Sequence, residues 1–203
     1  MPTTIDFWQR LREIDMFFDG TSAVHQTMHR LTKRFEQAGV AYAVMGGMAV
    51  NAHGAARTTA DVDVLLTPEG LAWFRKELAG TEYDPVEGRS RRFTDRENNV
   101  GVDLLVTGHL PGRGKTAPFP FPDPSAASEE IKGTRVVTLP QLVQLKLAAG
   151  RYSDFGDVVF LIRVHHLDES FMERLHTAVH GDYIECLEEQ RREDEYEARD
   201  QAD

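Results

Sequence analysis

The sequence predicts an α/β (α+β) fold, with a sheet-forming core and a helical extension on each side. Residues 39–139 alternate strand-like and helix-like patterns, which is typical of a sheet packed against helices. Residues 1–38 and 140–203 instead carry apolar side chains three and four positions apart, which indicates helices. The chain has 203 residues, of which 41% are hydrophobic, so it can bury a sizeable core. We therefore expect the three parts to form one compact unit.

Two helices are predicted before the core. The first begins near Thr4, a residue type suited to an N-cap, and extends to about residue 17. The second covers about residues 22–38 and is followed by Gly39, a residue type that commonly ends helices. The apolar face of this second helix consists of Val24, Met28, Leu31 and Phe35.

The core is predicted to contain four strands and two helices. The strands are the segments VAYAVM, DVDVLL, NVGVDLLV and TRVVTL, which are rich in β-branched and aliphatic residues. The segment GGMAVNAHG is a glycine turn that opens a short helix, and TPEGLAWFRKELAG is a helix with Pro68 near its start and Gly80 at its end. Residues 107–128 are rich in Pro, Gly and Ser, which predicts an irregular surface loop, and loops of this length are often functional.

The C-terminal region is predicted to contain three helices and an acidic tail. The helices are the segments PQLVQLKLAAG, DFGDVVFLIRVHH and ESFMERLHTAVH. Residues 181–203 contain ten acidic side chains and three arginines, so they supply −7 of the net charge of −10. This tail has few apolar residues and is expected to fray or to be disordered. The charge argues against a protein that coats nucleic acid, but the remaining −3 leaves room for a local basic groove.

The sequence indicates a cytoplasmic protein. Its one cysteine, Cys186, cannot form an internal disulfide, which fits a reducing compartment. No apolar run approaches the roughly 18 residues that a membrane span needs. The N-terminal segment lacks the basic and apolar regions of a signal peptide.

Carboxylates occur where a buried strand is expected. Alternate residues of a strand share a face, so Asp61 and Asp63 in DVDVLL lie on one side with Cα atoms roughly 6–7 Å apart. Asp103 repeats this pattern in NVGVDLLV, and the three acids converge if the two strands are neighbours. Oxygen donors of high negative charge suit Mg²⁺ or Mn²⁺. Such ions support phosphoryl or nucleotidyl transfer. The structural alternative is that Asp61 caps its strand, Asp63 pairs with an arginine and Asp103 lies on a solvated edge.

Glycines and basic residues surround the acidic pair in the sequence. Gly46 and Gly47 stand between a strand and a helix, where backbone N–H groups can approach a phosphate, although a tight turn needs the same residues. Arg57 either contacts phosphate or forms a structural ion pair, and Thr59 supports the turn before Asp61. Lys146 lies on an apolar helix face, from which it either reaches a phosphate or extends to the surface.

Together these residues resemble the nucleotidyltransferase superfamily that includes DNA polymerase beta. The family pattern is a hydrophobic residue, G-[GS], a gap, acid–hydrophobic–acid, and a third acid on a later strand. Met45-Gly46-Gly47, Asp61-Val62-Asp63 and Asp103 fit this pattern. The longer string, with H-G and R-x-T between the glycines and the acids, is similar to the small bacterial branch near the AbiEii-type toxins. Gly47 departs from the serine of many active members, and the 107–128 loop matches nothing in the family.

The resemblance implies a short mixed β-sheet backed by helices and a Mg²⁺-dependent (or Mn²⁺-dependent) nucleotidyltransferase. Asp61, Asp63 and Asp103 would be the catalytic and metal-binding residues. The nucleotide-binding residues would be Gly46, Gly47, Arg57, Thr59 and Lys146. The implied partners are a nucleoside triphosphate, an acceptor such as tRNA or protein, and a cognate antitoxin. Two other functions stay open at this point: a non-catalytic nucleotide- or protein-binding member of the same fold, and a two-metal phosphohydrolase.

Overall fold

A computed structural model describes residues 13–14, 16–17, 19–112 and 117–200. The first predicted helix falls largely outside these residues, although residues 13–14 and 16–17 are helical. The described helices are α1 (Ala23–Ala38), α2 (Gly46–Ala52), α3 (Pro68–Glu77), α4 (Pro124–Ala127), α5 (Leu139–Ala149), α6 (Tyr152–His165) and α7 (His180–Asp200), with 3₁₀ helices at Glu169–Arg174 and Thr177–Val179. None of the described helices has the length and apolar character that a membrane crossing requires.

The described strands form one mixed sheet of seven strands. They are β1 (Tyr42–Val44), β2 (Asp61–Leu66), β3 (Tyr83–Pro85), β4 (Arg92–Asp95), β5 (Gly101–Val106), β6 (Ser128–Ile131) and β7 (Thr134–Val137). Their spatial order is β3-β4-β5-β2-β1-β7-β6. The β2/β5 and β1/β7 pairs are parallel, whereas the other neighbouring pairs are antiparallel. The predicted α/β fold with a mixed sheet is therefore confirmed.

The helix boundaries follow from ordinary capping. Ser22 begins α1, where its side chain accepts a hydrogen bond from the His25 backbone N–H. Gly39 ends α1 in the left-handed conformation, at φ 64°, as the sequence predicted. Thr67 caps α3 by accepting a hydrogen bond from the backbone N–H of Gly70.

The hydrophobic core lies between the sheet and the helices. In β2, Val62 and Val64 are fully buried, whereas Asp61 and Asp63, which alternate with them, are only partly buried. The same alternation occurs in β5, where Val102 is fully buried. Buried side chains from all three parts of the chain belong to one hydrophobic cluster, which includes Phe35 from α1, Leu161 from α6 and Tyr183 from α7.

Three strands were missed by the sequence prediction. β3 and β4 form an antiparallel pair of three and four residues, YDP and RFTD, which have too few apolar positions to show a clear period. β6 has the sequence SEEI and pairs with β7, although both of its glutamates are exposed. The predicted irregular loop over 107–128 is therefore wrong at its C-terminal end, where α4 leads into β6.

The C-terminal region differs from its prediction in two places. ESFMERLHTAVH forms two 3₁₀ helices instead of one α-helix. The acidic tail was expected to fray, yet α7 continues to Asp200, and only residues 201–203 lie outside the described part of the chain. Arg163 of α6 forms ion pairs with three acids of α7, Glu193, Asp194 and Glu197, at 2.8, 3.3 and 3.4 Å. The tail was expected to be disordered because of its negative charge, and Arg163 from another helix offsets part of that charge.

Candidate functional site

The three acids predicted from the sequence lie together on one face of the sheet. In the parallel pairing of β2 with β5, Asp63 is the direct neighbour of Asp103, and Asp61 is the neighbour of Gly101. Because Asp61 and Asp63 are two residues apart on one strand, their side chains point to the same face. The structure therefore brings Asp103 beside Asp61 and Asp63, as the sequence pattern required.

Asp63 is the most enclosed of these acids, and it packs against Gly46. Gly46 has φ 61°, and a Cβ atom at this position would lie 1.8 Å from Asp63 Oδ2. The backbone joins the two segments as well, because the Met45 N–H donates to the Asp63 carbonyl at 2.8 Å. Burial, together with the negative charges of Asp61 and Asp103, raises the pKa of Asp63 to about 7, although the positive charges of Lys146 and Arg151 oppose the rise.

Gly47 serves a different contact from Gly46. A Cβ atom at Gly47 would lie 2.7 Å from the Cβ of Thr59, so the absence of a side chain lets Thr59 pack closely. Thr59 in turn donates from Oγ1 to Asp61 Oδ1 at 3.0 Å. The serine that many family members carry in place of Gly47 would require Thr59 to move. Thr59 thus orients the first acid, which agrees with the expected support of the turn.

Arg92 lies among the acids and was missed by the sequence reasoning. Its Nη1 lies 2.5 Å from Asp103 Oδ2, and its Nη2 lies 3.9 Å from Asp61 Oδ2. The signal was present in the string GRSRRF, which concentrates three arginines at Arg89, Arg91 and Arg92. This string was not recognised because β3 and β4 were not predicted, so nothing placed the arginines beside the acids.

Lys146 belongs to a buried ion-pair network on α5 and α6. Its Nζ lies 3.3 Å from Asp154 Oδ1 and 2.5 Å from Asp157 Oδ2. Asp154 also accepts from Arg151 Nε at 2.6 Å, and Asp157 forms an ion pair with Arg57. Lys146 is 6% exposed, so the surface-lysine alternative is wrong. Arg57 adopts the structural ion pair that the sequence left open, with an acid of α6 as its partner.

A cavity of about 420 Å³ opens beside Asp63 and Asp103. Its apolar lining includes Leu104, Phe121 and Leu145. Its charged lining consists of Asp63, Asp103, Asp154, Arg89, Arg91, Arg92, Lys146 and Arg151. Gly46 reaches this cavity, whereas Gly47, Arg57, Thr59 and Asp61 do not line it. Five basic side chains against three acids make the cavity suitable for an anion.

The donor types at the three acids fit a hard divalent cation. Carboxylate oxygens on one face are the ligands that Mg²⁺ and Mn²⁺ prefer. The pKa of Asp63 is raised by burial and by the neighbouring negative charges, and a cation would offset those charges. In this conformation, however, no group of three or more His, Cys, Asp or Glu among the described residues is arranged to hold a metal ion. The acids thus supply suitable chemistry, while Arg92 provides the positive charge next to Asp61 and Asp103.

Comparison with known proteins adds two likenesses of fold. No protein-family model matches this chain, and no curated protein matches it by sequence. An antigenic nucleotidyltransferase-like protein from Paracoccidioides brasiliensis is similar in structure, with 16% identity and a TM-score of 0.43, over 68% of this chain and 73% of the other. A candidate nucleotidyltransferase from H. pylori is also similar, with 15% identity and a TM-score of 0.43, over 79% of this chain and 80% of the other. Neither likeness bears on activity.

Proposed function

We propose that this protein is a Mg²⁺-dependent nucleotidyltransferase that moves a nucleoside monophosphate from a nucleoside triphosphate to an acceptor hydroxyl. The observation that carries the proposal is the register of β2 and β5. This register aligns Asp63 with Asp103, on the face that also carries Asp61, beside the backbone of Gly46. The charged side chains that line the cavity next to this row of acids are mainly basic, which suits binding of a triphosphate.

The proposed reaction is a displacement at phosphorus. The acceptor oxygen forms a bond to the α-phosphorus, and the bond from that phosphorus to the bridging oxygen of the β-phosphate breaks. Pyrophosphate leaves with the electron pair, and Asp103 helps to take the proton of the attacking hydroxyl. When bound by Asp61, Asp63 and Asp103, a divalent cation would offset the negative charge of the phosphate oxygens.

The remaining predicted residues have supporting roles in this proposal. Gly46 lines the cavity and leaves room for the Asp63 carboxylate, and Gly47 lets Thr59 hold Asp61 in place. Lys146 lines the cavity and contributes positive charge toward the triphosphate, while Asp154 and Asp157 fix its position. Arg57 acts through this network, because it holds Asp157.

The resemblance to the AbiEii-type branch extends the proposal to the acceptor. We propose a cytoplasmic toxin that modifies tRNA or a protein and that is neutralised by a cognate antitoxin. The acceptor hydroxyl would approach Asp103 from the open side of the cavity, where the exposed Arg89 lies.

The test is transfer of label from each nucleoside triphosphate to components of a cell extract, in the presence of Mg²⁺. Wild type is expected to label an acceptor, and Asp63→Ala is expected to lose at least about two orders of magnitude of this labelling. Asp84→Ala is the matched control, because Asp84 is an exposed acid on the same sheet that pairs with Arg96 outside the cavity. Equal labelling by wild type and Asp63→Ala would contradict the proposal.

A non-catalytic nucleotide-binding protein is the second candidate, and Arg92 favours it. A guanidinium already offsets part of the negative charge of Asp61 and Asp103, so the row of acids is partly compensated without a metal ion. This candidate predicts that calorimetry detects nucleotide binding of the same affinity with Mg²⁺ and with a chelator, and that no label is transferred. A metal-dependent affinity together with transfer would exclude it.

A further inference from the structure

Arg92 and two of the acids form one row across three strands. Arg92 on β4 is the direct neighbour of Asp103 on β5, and Asp103 is the direct neighbour of Asp63 on β2. Side chains of directly opposed residues share a face and lie close enough to interact. The basic residue therefore reaches the acids because of its position in the sheet, and does not depend on a loop conformation.

Gly101 provides the space through which Arg92 reaches Asp61. Gly101 is the neighbour of Asp61 in the β2/β5 register, and a Cβ atom at this position would lie 2.9 Å from Arg92 Nη2. The missing side chain thus lets one guanidinium contact Asp103 at 2.5 Å while its other nitrogen lies 3.9 Å from Asp61.

We propose that Arg92 competes with the divalent cation for Asp61 and Asp103, and so sets the metal affinity of the site. This inference rests on the proposed function. The guanidinium and a metal ion would interact with the same two carboxylates, and their positive charges repel each other, so each weakens binding of the other. Arg92 lines the cavity, where the phosphates of a bound nucleotide offer it another anion. Metal binding without nucleotide is therefore weakened, and nucleotide binding relieves the competition.

The experiment measures Mn²⁺ binding, by calorimetry and by electron paramagnetic resonance, in the absence of nucleotide. Arg92→Gln removes the competing charge and is expected to lower the Mn²⁺ dissociation constant about fivefold or more. Arg92→Lys keeps the charge but cannot contact both acids with two nitrogens. Its Mn²⁺ dissociation constant should therefore lie between those of wild type and Arg92→Gln. This variant also serves if Arg92→Gln does not fold. Adding Asp103→Asn to Arg92→Gln is expected to reverse the gain, because the gain arises at that carboxylate.

Arg96→Gln is the matched control. Arg96 directly follows β4 and forms an ion pair with an acid of the sheet, Asp84, at 2.5 Å, but this pair is exposed and lies outside the cavity. Arg96→Gln is expected to leave the Mn²⁺ dissociation constant unchanged. A purely structural cross-strand pair between Arg92 and Asp103 predicts unchanged or weaker Mn²⁺ binding in Arg92→Gln, and that result would overturn the inference. The absence of Mn²⁺ binding in wild type and every variant would overturn it as well.

The test of the competition between Arg92 and the metal ion can be distinguished from the test of the proposed function. Tighter Mn²⁺ binding in Arg92→Gln without any nucleotidyl transfer by wild type would support the competition and reject the enzyme. Transfer by wild type with no change of Mn²⁺ affinity in Arg92→Gln would support the enzyme and reject the competition.

Discussion

Gly46 shows how a single residue couples the backbone to the candidate site. It adopts a left-handed conformation, at φ 61°, and its Cα faces the carboxylate of Asp63 so closely that no side chain fits between them. Gly39 adopts nearly the same φ, 64°, but nothing lies within 4 Å of the position of its missing Cβ. A side chain at Gly39 would therefore cause only backbone strain, whereas a side chain at Gly46 would cause the same strain and would also overlap with Asp63.

Gly46→Ala is expected to destabilise the protein more than Gly39→Ala does. Gly39→Ala should cost about 1 kcal/mol of unfolding free energy, because alanine disfavours a positive φ. Gly46→Ala adds the overlap with Asp63, which we expect to cost about 1–3 kcal/mol more. Urea unfolding measures both values. Combining Gly46→Ala with Asp63→Ala should recover most of the extra loss, and equal costs for the two glycine variants would contradict the contact.

Asp63 predicts a pH dependence of stability in the absence of metal. Its folded-state pKa, about 7, is above its ordinary value of 3.8. Asp63 therefore destabilises the folded state progressively as the pH rises from about 4, and the effect is complete above about 7. Asp63→Asn should raise the unfolding free energy more at pH 8 than at pH 5. With chelator present, thermal unfolding at the two pH values measures the difference, and a gain that does not increase with pH would contradict the environment described for Asp63.

At the scale of residues, the sequence identified the acids but not their surroundings. The spacing of Asp61 and Asp63 follows from the period of a strand, and Asp103 repeats the same anomaly, so local pattern was sufficient. Arg92 lies 31 residues beyond Asp61 in a strand of weak pattern, and only the pairing of β4 with β5 brings it to the site. A contact fixed by strand pairing has no local signature.

The helix pair α5 and α6 is held by a network in which Lys146 is central. The Lys146 side chain is 7% exposed and the Asp154 side chain is 2% exposed, so water screens neither charge well. Each charge therefore offsets part of the cost of burying the other. Lys146→Met is expected to cost about 3–5 kcal/mol of unfolding free energy, because it leaves two acids short of a buried partner. Urea unfolding measures this cost. Lys76→Met is the control: Lys76 is 83% exposed and pairs with its neighbour Glu77, so its loss should be within about 0.5 kcal/mol of zero.

The contact between α6 and α7 predicts which charge keeps the acidic helix in place. Arg163→Gln removes three ion pairs to Glu193, Asp194 and Glu197. Amide exchange over about residues 190–200 should become faster, and the difference from wild type should shrink at high salt. Arg192→Gln is the matched control, because Arg192 pairs with Glu189 of the same helix and does not join α7 to α6. Equal acceleration in both variants would contradict the role of Arg163.

At the scale of elements, strong periodicity was predictive and composition alone was misleading. The bounds of β2 and α3 nearly coincide with segments chosen from pattern, since both carry clear apolar periods and α3 also has a cap. The acidic tail lacks apolar residues, which predicted disorder, but α7 receives its countercharge from Arg163 on a different helix. β6 was missed for a similar reason, because its pairing with β7 outweighs a polar sequence.

Ligand binding should stabilise the whole molecule if the proposed function is correct. A ligand that binds only the folded state at 100 times its dissociation constant adds about 2.7 kcal/mol. For a chain of this size, that corresponds to a rise in melting temperature of roughly 5–10 °C. The rise is expected with a nucleoside triphosphate and Mg²⁺ together and should be much smaller with chelator. Asp103→Asn should lose the Mg²⁺-dependent part, and an equal rise in this variant would contradict the metal role of Asp103.

At the scale of the molecule, the sequence predicted an α/β fold but not the full sheet. Four strands were expected, whereas seven are present, and the three additional ones form the two edges. The parallel pairing of β2 with β5 joins segments about 40 residues apart, with α3, β3 and β4 between them in the chain. The acids suggested that these two strands are neighbours, but their exact alignment depends on the whole sheet.

The register of β2 and β5 that buries the apolar side chains of the core is the same register that aligns the acids of the site. A slip of one residue along β2 would turn Asp61 and Asp63 toward the interior and bring Val62 and Val64 out to the opposite face. Such a molecule would expose two fully buried valines and would also lose its row of acids. A copy of the chain that has formed its core correctly therefore already has its carboxylates aligned, and no separate folding step is needed to assemble them.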